Sequence, residues 1–215
     1  NLIAYLTVAD CPLITLQPVN TGRCEGSTAT LRCAANGTLP FSIQWFFNGV
    51  AFPNGDARIT GTTTTNLLLT GLQLSDAGAY QADISNACGS ATTVAATLVV
   101  HSPPQITLQP LSQAGYKGQT VSFVAAATSL LTNYYQWRFN GSTMPGATNT
   151  SLVLSNITKP QAGDYTLVVT NTCGATTSLV ATLAVPDCLG IAAEPVSREV
   201  SLESSVTFAV TPSGA

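Results

Sequence analysis

Charge is scarce in this chain. Lysine, arginine, aspartate and glutamate together make up 8% of the 215 residues, and the formal net charge is −3. A nucleic-acid partner would need a basic stripe to neutralise phosphates, so none is expected. The same shortage argues against an anionic membrane surface as partner. No run of about 18 apolar residues occurs, so no segment is expected to insert into a membrane as a helix. The single histidine, His101, sits in the linker-like stretch His101-Ser102-Pro103-Pro104. With no placed serine, cysteine or carboxylate beside it, it makes no nucleophilic triad. The carboxylates are scattered over turn-like segments, with neither a calcium-loop spacing nor an acid/base pair. There is no Cys-x-x-Cys pair and no histidine cluster to hold zinc. The chain is therefore not read as an enzyme, and no cofactor is expected.

What is present is repetition. Gln44-Trp45-Phe46-Phe47-Asn48-Gly49 returns as Gln136-Trp137-Arg138-Phe139-Asn140-Gly141. Asp76-Ala77-Gly78-Ala79-Tyr80 returns as Gln161-Ala162-Gly163-Asp164-Tyr165, and Asn86-Ala87-Cys88-Gly89 as Asn171-Thr172-Cys173-Gly174. Repetition at this period predicts an array of small domains. Within each copy the apolar residues alternate: Phe41, Ile43, Trp45 and Phe47, then Tyr80, Ala82 and Ile84, then Val94, Ala96, Leu98 and Val100. The second copy gives Tyr135, Trp137 and Phe139, then Tyr165, Leu167 and Val169, then Leu179, Ala181, Leu183 and Val185. Period two means strands. No stretch carries a helical period, so the fold class is all-β.

A tryptophan followed by Gly-x-Tyr among short alternating strands resembles the immunoglobulin-like Greek-key sandwich. The wording Trp-x-x-Asn-Gly, Leu-x-Leu, Asp-Ala-Gly-x-Tyr and Asn-x-x-Gly resembles the I-set-type repeats of large bacterial extracellular and surface proteins. The resemblance covers essentially the whole chain. It implies complete sandwiches over residues 11–101 and 102–187. Residues 1–10 match the last strand of each copy through Leu2, Ala4, Leu6 and Val8, and residues 188–215 match the first strands. The ends are thus expected to belong to a preceding and a following domain. Trp45 and Trp137 are expected in the cores, with Tyr80 and Tyr165 as tyrosine corners. Arg58 and Asp76 resemble the buried ion pair of such sandwiches. The second copy has Gln161 in place of Asp76 and is shorter, Trp45 and Tyr80 being 35 residues apart and Trp137 and Tyr165 only 28; the seven residues are missing between Pro145 and Leu152, which removes the strand that bears the arginine. Losing both partners together is what a structural pair would show.

Six cysteines suggest an oxidising compartment. The usual disulfide of this fold would join Cys33 to position 82, which is Ala82; in the second copy the two positions are Ala125 and Leu167. Cys33 is then expected as a buried free thiol. The fold implies that Cys88 and Cys173 lie in turns at domain ends. Cys11–Cys88 would pin the entry to the first domain, and Cys24–Cys173 would join the two domains. Cys188 repeats Cys11 at a distance of 177 residues, so its partner would lie in the next domain. Connectivity does not follow from sequence alone; free thiols or metal-bound thiols remain open.

The functional expectation is a structural segment of a long tandem protein at the cell surface or outside the cell: a stalk, fibre or filament stiffened at its junctions. Its partners would be neighbouring domains and other copies in a filament. The alternatives are an adhesin or ligand-binding module, and a spacer in a secreted multidomain enzyme. Phe46, Phe52, Tyr116 and Tyr134 are the aromatics that could meet a partner from the surface.

Overall fold

A computed structural model describes residues 8–52, 56–187, 190–193, 196–197 and 199–213. The chain divides into two compact units, one built mainly on residues up to Pro103 and the other mainly on residues from Pro104 onward. Among the described residues the only helical elements are two 3₁₀ turns, Leu74–Asp76 and Lys159–Gln161.

The first unit holds strands β1 (Leu13–Leu16), β2 (Thr21–Cys24), β3 (Ala29–Arg32), β4 (Ala34–Asn36), β5 (Ser42–Phe47), β6 (Val50–Ala51), β7 (Ile59–Thr60), β8 (Asn66–Leu69), β9 (Gly78–Ser85), β10 (Ser90–Thr92) and β11 (Ala96–His101). One sheet runs β2-β11-β9-β5-β6, with β10 also on β9. Facing it are the ladder β3-β8-β7 and the pair β1-β4. Among the described residues every pairing in this unit is antiparallel except β11 with β2. Alternation explains the layering, because on β9 Tyr80, Ala82 and Ile84 all turn inward. They meet Leu31, Cys33, Trp45, Leu67, Leu69, Leu72 and Leu98 in one buried cluster.

The second unit repeats this with β12 (Gln105–Leu108), β13 (Gln113–Ala114), β14 (Val121–Val124), β15 (Ala126–Thr128), β16 (Tyr134–Phe139), β17 (Ser142–Thr143), β18 (Ser151–Leu154), β19 (Gly163–Asn171), β20 (Gly174–Thr177) and β21 (Ala181–Ala184). The larger sheet again runs β13-β21-β19-β16-β17, with β20 on β19. Among the described residues the facing ladder has only β14 and β18. Its core gathers Phe123, Trp137, Ile157, Tyr165, Leu167, Val169 and Leu183. A short pair, β22 (Gly190–Ala193) with β23 (Thr211–Ser213), lies near the C-terminus.

Two of the repeated motifs are halves of one joint. Asn48 and Gly49 have φ of 48° and 79°, and Asn140 and Gly141 have 46° and 79°. Successive positive φ values form the tight hairpin turn that Asn-Gly favours. The Asn48 side-chain oxygen then accepts the Ala79 backbone N–H at 2.9 Å, and Asn140 accepts that of Asp164 at 2.9 Å. This brings the turn against the start of β9 or β19. A Cβ at Gly78 would stand 2.5 Å from the Phe47 ring, and one at Gly163 would stand 2.6 Å from the Asn140 oxygen. The glycine of Ala-Gly-x-Tyr is required by that close approach.

Three sequence expectations need correction. The last strand of each unit starts later than the apolar pattern suggests. Val94 and Leu179 are 67% exposed, and β11 and β21 begin at Ala96 and Ala181. The Thr93 and Ser178 hydroxyls accept the N–H groups of Ala82 and Leu167, interrupting the ladder. The next N–H, of Val94 or Leu179, goes to the side-chain oxygen of Gln17 or Gln109, both at 2.8 Å. Phe52 is not a surface aromatic: it packs on the core and stacks on Phe47 and Tyr80. His101 is the last residue of β11, in register with Cys24, rather than a linker residue. Leu2, Ala4, Leu6 and Cys188, on which part of the end-fragment reading rests, lie outside the described residues; Val8 is described and is exposed.

Candidate functional site

The chemistry this chain offers is cross-linking, and it sits at the ends of the sandwiches. Cys11 precedes β1, and Cys88 lies in the turn between β9 and β10. They form a disulfide with Cα atoms 4.8 Å apart and a sequence separation of 77. Asn86 organises the surrounding backbone. Its amide nitrogen donates to the carbonyls of Asp10 and Thr38, at 2.7 and 2.8 Å. Its side-chain oxygen accepts the N–H groups of Cys88 and Gly89. Asp10 and Thr38 also bond to each other, through Asp10 N–H to the Thr38 hydroxyl and Thr38 N–H to the Asp10 carbonyl. One asparagine thus ties three segments beside the bridge.

The second unit keeps part of this arrangement. Asn171 accepts the Cys173 N–H at 2.8 Å, as Asn86 does for Cys88. Cys24 closes β2, opposite His101, at the other end of the first unit from Cys88. Cys24 and Cys173 are both disulfide-bonded. Cys33 is free and 2% exposed. Burial pushes its thiol up from 9.0 to about 11. Ala82, in the position of a bridge partner, is itself fully buried within the same cluster.

The tryptophans are core residues. Both are fully buried, and their indole N–H groups donate to the Thr64 and Asn149 carbonyls, at 2.8 and 2.9 Å. The Tyr80 hydroxyl donates to the Asp76 carbonyl at 2.6 Å, and the Tyr165 hydroxyl to the Gln161 carbonyl at 2.8 Å. Burial raises both phenols. Arg58 reaches the Asp76 carboxylate at 2.9 Å and also Asp56 at 2.8 Å. The bond to Asp76 raises the Arg58 guanidinium. The Arg58 backbone N–H, followed by its guanidinium, lowers the Asp56 carboxyl.

Asp76 has a second task that the ion-pair reading missed. It accepts the Gln73 N–H at 2.8 Å, capping the 3₁₀ turn. Gln161 accepts the Thr158 N–H at the same 2.8 Å. Its replacement of Asp76 therefore loses the charge and keeps the cap. The three-residue spacing from Gln73 to Asp76, and from Thr158 to Gln161, was a readable signal for it. Among the described residues, no group of three or more His, Cys, Asp or Glu side chains could hold a metal ion. No helix there is long and apolar enough to cross a membrane.

Two sandwiches in tandem, each with a buried tryptophan and a tyrosine corner, define the immunoglobulin-like class. The chain belongs to the immunoglobulin-domain family: the family profile matches residues 12–86 and 103–171. A peroxidasin homolog of Caenorhabditis briggsae is 31% identical over 173 residues, covering 76% of this chain and 13% of that protein. Hemicentin-1 of Mus musculus is 29% identical over 179 residues, covering 81% of this chain and 3% of that protein. The chain therefore spans less than a fifth of either relative. Both are animal proteins, so the narrowing to bacterial surface repeats has no support from them. The I-band fragment I67–I69 from titin superposes with a TM-score of 0.71 at 21% identity, covering 86% of this chain and 69% of that one. That likeness concerns the fold. Disulfide-bonded immunoglobulin domains fit an extracellular setting, where such bonds persist.

Proposed function

We propose that this chain is a structural segment of a longer extracellular tandem protein, a stalk, fibre or surface filament whose disulfides hold neighbouring domains at fixed angles. In this reading residues 11–101 and 102–187 are the complete domains, and the flanking residues belong to the next ones. Cys24 pairs with Cys173 across the junction, Cys11–Cys88 pins the incoming chain, and Cys188 repeats Cys11 for the following domain. The partners are adjacent immunoglobulin domains of the same chain and, in a filament, other copies.

The observation that carries this is where the sulfur is spent. Cys33 in the core is left as a thiol, while disulfide-bonded Cys11, Cys88, Cys24 and Cys173 lie at strand ends and turns. A bridge in the core would stabilise a single sandwich, whereas a bridge between domains removes hinge freedom. Non-reducing peptide mapping should recover one peptide pair joining Cys24 to Cys173. Small-angle scattering should then show a wider spread of dimensions after reduction than before. A Cys24 peptide joined elsewhere, or identical scattering in both states, would refute the rod in favour of a flexible tether.

A further inference from the structure

Comparing the two units strand by strand exposes one unfilled place. In the first unit β8 carries β7 on its outer side, with Ile59 opposite Leu69 and Thr60 opposite Leu68. Thr70 extends this pairing by donating its N–H to the Arg58 carbonyl at 2.9 Å. Ile59 packs on the core beside Phe47 and Phe52. In the second unit β18 is the counterpart of β8, because Leu154 faces Val121 as Leu69 faces Ala29. Yet among the described residues β18 pairs with β14 alone.

On the open side of β18 lies a groove of about 540 Å³, lined by Phe139, Met144, Leu152, Leu154, Gln161 and Tyr165 among others. The corresponding hollow in the first unit, bordered by Phe47, Phe52, Ile59 and Tyr80, is about 240 Å³. Leu152 and Leu154 each keep 8% exposure, where Leu67 and Leu69 are fully buried.

The edge itself is undefended. Native sheets blunt open edges with charge, proline or a covering segment. Residues 149–156 read Asn-Thr-Ser-Leu-Val-Leu-Ser-Asn, with neither charge nor proline, and Val153 is 61% exposed. Thr70 points its N–H at β7, and alternation makes Leu68 do the same. Val153 and Ser155 hold those positions in the second unit.

We propose that the open edge of β18 takes an extended, uncharged strand from another polypeptide, which pairs antiparallel with β18 and lowers one aliphatic side chain into the groove. Strand addition of this kind draws affinity from main-chain bonds and selectivity from the pocket for alternate side chains. The first unit shows the chemistry required, since β7 fills the same place in cis with Ile59. It also shows what differs. Its segment brings Arg58 to Asp76, whereas the second groove offers the neutral Gln161. A cation at the Arg58 position would find no partner, so the occupant is neutral there. This surface is independent of the junction disulfides.

The sequence supplies its own reporter, because Met144 is the only methionine in the chain. A ¹³C-methyl methionine label therefore gives one signal, from inside the groove. The probe is the synthetic peptide Gly-Thr-Ile-Thr-Val-Thr-Gly with blocked termini, titrated into the full chain. We expect a saturable shift of the Met144 methyl and amide exchange at Val153 and Ser155 slowed about tenfold or more at saturation. The same peptide N-methylated at alternate residues, and one with aspartate in place of Ile and Val, should do neither. Using altered peptides leaves the folding of the protein untouched. No saturation at millimolar peptide, or an equal response to the N-methylated peptide, would overturn the proposal. A Met144 signal that moves with protein concentration alone would seat a second copy in the groove, and would overturn it too.

Discussion

Replacing Cys11 and Cys88 together by serine removes a cross-link that closes 77 residues of chain. In the chain-entropy account, a loop of that length is worth about 4.5 kcal/mol, all of it from restricting the unfolded state. That figure is a ceiling here, because the tie acts at a weak point of the fold. Among the described residues strand β1, just after Cys11, pairs only with β4, and its Leu13 and Leu16 are 69% and 46% exposed. Only Ile14 packs on the core from this strand. Without the bridge, the first few residues can fray while the sandwich stays closed, so part of the lost restriction falls on a local opening. We expect a loss of about 2–4 kcal/mol for the first unit. With a urea dependence of roughly 1.5 kcal/mol per molar, the midpoint should fall by about 2 M. The assay is urea unfolding of the full chain carrying Trp137→Phe, so that fluorescence reports Trp45 alone. The amides of Ile14 and Leu16 should exchange faster than those of β9. A drop below about 1 kcal/mol, with exchange faster only in β1, would refute the reasoning and reduce the bridge to a local clasp.

Two further outcomes follow from the interior. Cys33 holds its proton more tightly in the folded state than in the unfolded one, so its contribution is complete below pH 9 and fades as pH rises from about 9 to about 11, amounting to roughly 3 kcal/mol in all. Urea unfolding across that range should show the wild type losing stability relative to Cys33→Val, and parallel curves would show that the thiolate is tolerated in the core. Asp76→Ala removes a buried acceptor and should cost about 1–3 kcal/mol, whereas Asp76→Gln, which copies Gln161, should cost distinctly less; equal losses by urea unfolding would show that capping is not what the glutamine preserves.

The sheets and cores were legible because they rest on period-two alternation, and Trp45, Trp137, Tyr80 and Tyr165 anchor both copies. The strand starts were not. Val94 and Leu179 continue the alternation in sequence, but the preceding hydroxyls of Thr93 and Ser178 intercept the ladder. A pattern of apolar residues carries no information about a side chain that competes for backbone bonds. Gln161 was legible only as a lost ion-pair partner, because charge is conspicuous in a sequence and capping is not. The groove beside β18 was half legible: the shorter spacing from Trp137 to Tyr165 announced a missing strand. Whether its place was covered by neighbouring chain depended on three-dimensional placement.

Cys33 has a consequence for how such a chain is made. In an oxidising compartment every accessible thiol is a candidate partner for every other, and six cysteines allow fifteen complete pairings. Exchange needs a thiolate that can reach a disulfide sulfur. Inside the closed sandwich Cys33 meets neither condition: it is 2% exposed and its thiol is pushed up by burial. Once the two sheets have met, the sixth cysteine is withdrawn from the competition. Oxidation that waits for closure chooses among the five other sulfurs, while oxidation that comes first chooses among six. Closing the core before the bridges form therefore removes one of the six from the choice of partners.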